Sequence, residues 1–201
     1  YEAYGDLSSM MKITEGIIRH AAKKVANKTE FINIFNPEGE KIDIAQPFKV
    51  VTMCDMIYQE TGIDFKNNHY TLLEATELAK KHNIKVEKHF TVGHIIDAFF
   101  ETFCEEKLIQ PTFLCGHPVE ISPLTKIDPS DPRFVQRFEL YIGGHEFANA
   151  YTELNDPIDQ KNRFLEQLAE KDAGNDEAND MDVDFVEALE YGMPPCGGVG
   201  M

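Results

Sequence analysis

Residues 137–157 read RFELYIGGHEFANAYTELNDP, which predicts a strand, a turn at Gly143-Gly144 and a second strand. Side chains alternate between the two faces of a strand, so Asn149, Tyr151 and Glu153 are predicted to share one face. In this row, the amide can meet a carboxylate, the ring can pack on an alkyl chain, and the acid can meet a distal cation. At ~6–7 Å per two residues, the row has about the length of an extended basic amino acid.

The two glutamates that flank the turn suggest a second site. A two-residue Gly-Gly loop pairs Tyr141 with Glu146 and Glu139 with Ala148. Glu139 and Glu146 then lie on one face as diagonal neighbours, about 7–8 Å apart at the backbone. Two carboxylates so placed can share a Mg²⁺ ion that also binds substrate phosphates. The alternative is that both glutamates are simply solvated on an open sheet face.

The strand pattern also contains a conflict between these two groups. A regular ladder puts Glu146 on the face opposite Asn149, so one site could not use both residues. A β-bulge near Phe147–Ala148 would bring them to the same face, and bulges are frequent beside active sites. We therefore predict an irregular ladder at this point.

Composition limits the classes of protein that fit. The 201 residues, 42% of them hydrophobic, suffice for one domain. Nineteen basic against 35 acidic residues give a net charge of -16, which disfavours binding to a nucleic-acid backbone. This charge fits either acidic pockets for cations or plain solubility. The four cysteines form no CxxC pair, which favours free thiols in a reducing cytosol. No apolar run approaches the roughly 20 residues of a membrane span, so no membrane partner is expected.

Periodicity and capping residues predict a single mixed α and β domain without internal repeats. Helices are predicted at 7–25, 52–62, 71–83, 91–109, 157–171 and 183–191. A hairpin is predicted at 30–45 and a buried strand at 111–118, with a Pro-rich loop at 123–132. The glycine-dense tail GMPPCGGVGM is interpreted as an element that is cut short.

Several long motifs resemble the class II lysyl-tRNA synthetases from one end of the chain to the other. They are AYGDL at 3–7, KHFTVGHIIDAFFETFCEEKLIQPTF at 88–113, PVEISPLTK at 118–126, RFELYIGGHEFANAYTELNDPIDQKNRF at 137–164, AGNDEAN at 173–179 and EALEYGMPPCGGVG at 187–200. The resemblance implies an α+β class II catalytic domain, with an antiparallel sheet flanked by helices. It implies an enzyme that joins lysine to ATP, releases pyrophosphate and passes the lysyl group to tRNA(Lys), assisted by Mg²⁺ in the cytoplasm.

The resemblance also assigns roles around the turn. Glu139 and Glu146 match the acids that bind ATP and Mg²⁺, and the backbone near Leu140 is expected against the adenosine. Family members often carry Arg or Lys at position 145, where this chain has His145. We expect His145 to be a surface residue beside the turn.

Five further positions match the lysine-binding residues of the family. Asn149 is expected to bond the lysine carboxylate, Tyr151 to pack on the aliphatic stem and Glu153 to bind the ε-ammonium. Tyr1 resembles a tyrosine that also meets the ε-ammonium, and Gly198 resembles part of the glycine floor of the pocket.

Other parts of the family pattern are not found in these residues. The resemblance implies that 1–201 is a partial catalytic domain, truncated at both ends, without the anticodon-binding barrel, an upstream arginine-bearing strand or a downstream GIDR segment. We therefore expect no aminoacylation by this piece alone, and a homodimer only in the complete enzyme. Two alternatives stay open: a paralogue that lysylates an elongation factor, and a truncated, non-catalytic interaction module.

Overall fold

The structure, a computed structural model, describes residues 1–176 and 178–201. Glu177, inside the AGNDEAN motif, lies outside the described residues. The helices are α1 (Leu7–Val25), α2 (Met53–Thr61), α3 (Leu72–Lys81), α4 (Val92–Phe103), α5 (Pro157–Asp172) and α6 (Val183–Glu190). The strands are β1 (Glu2–Ala3), β2 (Glu30–Phe31), β3 (Ile42–Asp43), β4 (Lys49–Thr52), β5 (Thr112–Cys115), β6 (Ile127–Asp128), β7 (Asp131–Val135), β8 (Arg137–Ile142), β9 (His145–Thr152) and β10 (Cys196–Gly200).

The main sheet has six strands in the order β1-β10-β9-β8-β5-β4. Its neighbours are antiparallel except for the parallel pair β4–β5. Two short hairpins, β2–β3 and β6–β7, stand beside it. The predicted α+β architecture with an antiparallel sheet and flanking helices is therefore confirmed.

The two faces of the sheet have different surroundings. On one face Phe138, Leu140 and Ala150 pack in a cluster that includes Met10 of α1. On the other face the helices α2, α3 and α4 build a second cluster, which reaches Tyr141 on β8. The side chains of β8 that alternate with the α1-facing set therefore point towards α4, and this face carries the polar residues.

Local capping explains where most helices begin. Asp6, Thr52, Thr71, Thr91 and Asp156 each accept a hydrogen bond from a backbone N–H in the first turn of the next helix. The predicted capping box of Thr71 with Glu74 is present. None of the described helices is long and apolar enough to cross a membrane.

One helix is shorter than its sequence pattern predicts. The prediction of a helix over 91–109 is wrong at its end, because α4 stops at Phe103 and a 3₁₀ turn follows at Glu105–Lys107. The carbonyls of Leu108 and Ile109 then accept hydrogen bonds from the amides of Gly144 and Gly143. Because the helix has ended before these residues, their carbonyls are available to bind the tip of the β8–β9 hairpin.

Two segments without a clear strand pattern form strands. The prediction of a loop over 123–132 is wrong in part, because this range contains β6 and the start of β7. The glycine-dense tail forms β10, which is paired on both sides with β1 and β9. Glycine suits this strand because a Cβ on Gly197 would lie 2.9 Å from the Met10 side chain.

Candidate functional site

A β-bulge sets the arrangement of the β8–β9 hairpin. Tyr141 pairs with Glu146, but the next pair is Leu140 with Ala148, so Phe147 is the extra residue. The predicted irregularity near Phe147–Ala148 is confirmed. The expected pairing of Glu139 with Ala148 is wrong, because the extra residue moves the partner of Glu139 to Asn149. Since paired residues share a face, Glu146 and Asn149 both lie on the α4 side of the sheet.

A cleft of about 510 Å³ lies between α4 and the hairpin. Its walls include Asp97 and Glu101 of α4 and Arg137, Glu139, Tyr141 and Glu146 of the hairpin. Burial, with the nearby carboxylates of Glu101 and Glu139, raises the pKa of Asp97 to about 7. The cleft therefore concentrates negative charge and favours a cation, or a ligand that brings one.

Glu139 is held by two hydrogen bonds at the wall of the cleft. Oε1 accepts a 2.5 Å hydrogen bond from Nη2 of Arg137, and Oε2 accepts one of 3.0 Å from the Tyr141 hydroxyl. Burial alone would raise the pKa of Glu139, but the partners His117, Arg137 and Tyr141 outweigh it and lower the pKa to about 2. Glu139 is thus a fixed anion.

His117 was not identified from the sequence as a site residue. Nε2 lies 3.3 Å from Oε2 of Glu139, and the ring is almost fully buried. Burial lowers the pKa of His117, and the neighbouring carboxylate of Glu139 opposes this shift. Neither ring nitrogen of His117 has a hydrogen-bond partner of good geometry among the described residues, so the 3.3 Å approach to Glu139 is a close contact between buried polar groups. No local pattern joins this residue to the strand that it supports.

The pKa of Glu146 is shifted in the direction opposite to that of Glu139. Burial and the charge of Glu139 raise the pKa of Glu146. Within the described ranges, no set of three or more His, Cys, Asp or Glu side chains converges on a metal position. Two carboxylates can hold Mg²⁺ when another ligand, such as a phosphate, supplies further oxygens.

The three residues predicted to hold a zwitterion occupy alternate positions at the end of β9, with Glu153 one residue beyond the strand. Asn149, Tyr151 and Glu153 point to the α4 side, and the Tyr151 ring lies 5.7 Å from the Arg137 guanidinium carbon. Burial raises the pKa of Glu153 to about 7. The ionised form of such a half-buried carboxyl is strongly stabilised when a cationic partner binds beside it.

Gly198 and Tyr1 close the far end of this row. Gly198 pairs with Tyr151 across the β9–β10 ladder. A Cβ on Gly198 would collide with Oε1 of Glu153 and lie 2.7 Å from Cε1 of Tyr1. These three residues therefore meet at one point, although most of the Tyr1 side chain is exposed.

The remaining predicted residues lie at the edges of the site. The Leu140 side chain is fully buried on the α1 face, so only its backbone is available to a nucleotide. His145 is exposed beside the turn, and its ring lies 3.7 Å from that of Phe35.

Arg137 connects the two groups and was also missed from the sequence. It bonds both Glu139 and Asn149, and its guanidinium faces Tyr151. The sequence did indicate that Arg137 lies on the same face of β8 as Glu139, because the two residues are two positions apart. The predicted register, however, did not place Arg137 beside Asn149.

Comparisons with known proteins show which family the sequence matches. The family model for tRNA synthetases class II (D, K and N) matches residues 1–201. Lysine–tRNA ligase of Enterococcus faecalis is 54% identical over 201 residues, which is 100% of this chain and 39% of that protein. The lysine–tRNA ligase of Streptococcus gordonii is 55% identical, with 100% and 40% covered, and that of Bacillus subtilis is 53% identical, with 100% and 39% covered. The chain therefore spans about 40% of the length of these curated relatives.

Proposed function

Because the chain belongs to the class II tRNA synthetases of the D, K and N group, we propose that it forms the lysine- and ATP-binding face of a lysine–tRNA ligase. In this reaction an oxygen of the lysine carboxylate attacks the α-phosphorus of ATP, and the bond to pyrophosphate breaks. Lysyl-adenylate forms, and a hydroxyl of tRNA(Lys) then takes the lysyl group with loss of AMP. The identity of 53–55% to proteins named lysine–tRNA ligase supports this choice over other amino acids.

The observation that carries the proposal is the row of Asn149, Tyr151 and Glu153 on one strand face. The Asn149 amide binds the substrate carboxylate, the Tyr151 ring packs on the alkyl stem, and Glu153 binds the ε-ammonium. Glu153 is half-buried and its pKa is raised to about 7, so a neutral side chain of similar length would leave it without a partner. The site therefore favours lysine over apolar amino acids of the same shape.

The second half of the proposal concerns ATP. Glu139 and Glu146 hold Mg²⁺ together with the phosphates, and the backbone near Leu140 lies against the adenosine. The metal, when bound, neutralises phosphate charge and polarises the reacting phosphoryl group. The chain's own acids would otherwise repel a triphosphate, since Asp97, Glu139 and Glu146 all line the same cleft.

No side chain of the protein needs to act as a nucleophile in this proposal. The substrate carboxylate is itself the attacking group, so the site works by positioning and by balancing charge. Glu139, fixed by Arg137 and Tyr141, suits this role because its geometry is set before the substrate arrives.

Further properties are proposed for the whole protein that contains these residues. The net charge of -16 makes this region a poor surface for tRNA, so we expect tRNA(Lys) affinity to come mainly from elsewhere in the protein. Homodimerisation and a cytoplasmic location are proposed on the family resemblance alone.

Calorimetric titration tests the lysine site in the chain as it stands. We expect lysine to bind at least about tenfold more tightly than norleucine, which lacks the ε-ammonium. Glu153→Gln should abolish this preference, whereas Glu187→Gln on the exposed side of α6 should retain it. Equal affinity of the unmodified chain for both amino acids would contradict the proposal.

A further inference from the structure

We propose that Arg137 is a positioning residue, which fixes the side-chain amide of Asn149 so that its NH₂ group faces the substrate carboxylate. The proposal rests on the proposed function, since it assigns a role within the lysine site. The role concerns the orientation of the Asn149 side-chain amide. That orientation does not follow from the presence of an asparagine at this position alone.

The geometry of the contact determines which atom of the amide faces Arg137. Nε of Arg137 donates a 3.1 Å hydrogen bond to Oδ1 of Asn149. A guanidinium has donors only, so the amide atom next to it must be the oxygen. The opposite orientation would place two N–H groups against each other beside a positive charge. The Asn149 amide therefore has one stable orientation as long as Arg137 is present.

The NH₂ group of Asn149 then points away from Arg137. Among residues 1–176 and 178–201, no acceptor for this group is found, and Nδ2 is not among the buried polar atoms without a partner. It is accordingly solvated and available to a ligand on the face that carries Tyr151 and Glu153. A carboxylate needs such a donor, whereas an exposed amide oxygen would repel it.

Arg137 is itself held in place by four other contacts. Nη1 donates to the Ile121 carbonyl at 3.1 Å and to Oγ of Ser122 at 3.0 Å, and Nη2 donates to Glu139. The guanidinium also faces the Tyr151 ring, and its side chain is 13% exposed. All three nitrogens are engaged, so Arg137 acts through Asn149 and does not need to touch the substrate.

This arrangement makes a prediction that separates positioning from general support of the fold. Cadaverine has the alkyl chain and terminal ammonium of lysine but no carboxylate. Loss of Arg137 should therefore weaken the binding of lysine and leave that of cadaverine nearly unchanged. A residue that only stabilised the fold would affect both ligands alike.

The test is a calorimetric titration of both ligands into Arg137→Met, Arg137→Lys, Asn149→Ala and the double variant Arg137→Met/Asn149→Ala. We expect Arg137→Met and Asn149→Ala each to weaken lysine binding by roughly tenfold, because a hydrogen bond to a charged group is lost or misdirected. The double variant should lose no more than either single variant, and Arg137→Lys should recover part of the affinity. Arg19→Met, on α1 at the other face of the sheet, is the control and should bind both ligands normally.

A second measurement does not depend on any ligand. In NMR spectra of the unmodified chain, the Arg137 Nε–H signal should exchange slowly with water, and it should lose this protection in Asn149→Ala. The Asn149 side-chain NH₂ signals should shift in Arg137→Lys, which also serves if Arg137→Met does not fold. The proposal would be overturned if Arg137→Met weakened lysine and cadaverine binding equally. It would also be overturned if the Arg137 Nε–H signal were unchanged in Asn149→Ala and the Asn149 NH₂ signals were unchanged in Arg137→Lys. If the unmodified chain binds neither ligand, the proposed function is contradicted, and the NMR result still decides the orientation.

Discussion

Gly198 lies directly opposite Tyr151 in the β9–β10 ladder, and the space where its side chain would stand is taken by the carboxylate of Glu153 and the ring of Tyr1. The absence of a side chain at this one position lets the carboxylate lie over the end of the predicted lysine row.

Gly198→Ala is therefore expected to displace the Glu153 carboxylate, because a Cβ would collide with it. The obstructing atoms are the ends of flexible side chains, so the fold should survive while lysine affinity falls by roughly tenfold. Gly16→Ala, at an exposed position of α1, is the control, since no other atom lies within 4 Å of a Cβ there. Calorimetry with lysine checks both variants, and equal affinities would show that the Gly198 position is not part of the site.

Glu153→Gln should change the way that stability depends on pH. Burial raises the pKa of Glu153 from 4.5 to about 7, so the folded state holds this proton more strongly than the unfolded chain. Stability is then lost as the pH rises from about 4.5 to about 7. The variant should gain about 2 to 4 °C in Tm relative to the parent at pH 8, a gain limited by partial exposure, and none at pH 4. Thermal melts of both proteins at pH 4 and pH 8 provide the measurement. A difference in Tm that is the same at the two pH values would contradict the prediction.

Tyr141→Phe removes the hydroxyl that donates to Glu139, with the opposite dependence on pH. The pKa of Glu139 is lowered to about 2, so this carboxylate contributes stability above about pH 4.5 that is lost as the pH falls towards 2. The variant should be less stable by about 1.5 to 3 kcal/mol at pH 7, and the deficit should shrink in acid. Urea unfolding at pH 7 and pH 3 measures both values. Tyr58→Phe, at an exposed position in α2, is the control, and an equal effect there would refute the role of the hydroxyl.

Asp97→Asn should stabilise the chain at alkaline pH. Burial, Glu101 and Glu139 together raise the pKa of Asp97 from 3.8 to about 7, so stability is lost as the pH rises from about 3.8 to about 7. The variant is expected to gain roughly 1 to 3 kcal/mol at pH 8 and little at pH 4. Urea unfolding at the two pH values provides the measurement, and a loss of stability at pH 8 would mean that the carboxylate has a stabilising partner.

Glu146→Gln tests the proposed link between the cleft and Mg²⁺. Removal of one of the two carboxylates should weaken Mg²⁺-dependent binding of ATP by roughly tenfold, while metal-free ATP binding should not weaken. Glu106→Gln is the control, because Glu106 is exposed on the 3₁₀ turn that follows α4. Titration of ATP with and without Mg²⁺ gives the result, and a loss that is the same in both conditions would exclude a metal contact at Glu146.

Local sequence determined much of this fold. The capping residues Asp6, Thr52, Thr71 and Asp156 mark helix starts, because each bonds an amide only two or three residues away. Gly143-Gly144 fixes the turn because both residues adopt a positive φ. The period of two along this strand predicted that Asn149, Tyr151 and Glu153 share one face.

The contacts between distant residues were decided only by the tertiary structure. The Phe147 bulge was expected from a conflict in the pattern, but the pairing of Glu139 with Asn149 depends on how β8, β9 and β10 pack together. The end of α4, the strand formed by the glycine-dense tail and the support of Glu139 by His117 have the same origin. Sequence determines what depends on near neighbours: caps, turns and the face of each side chain. Register, burial and the pKa values of the site arise when separate segments exclude water from one another, and only the folded chain sets them.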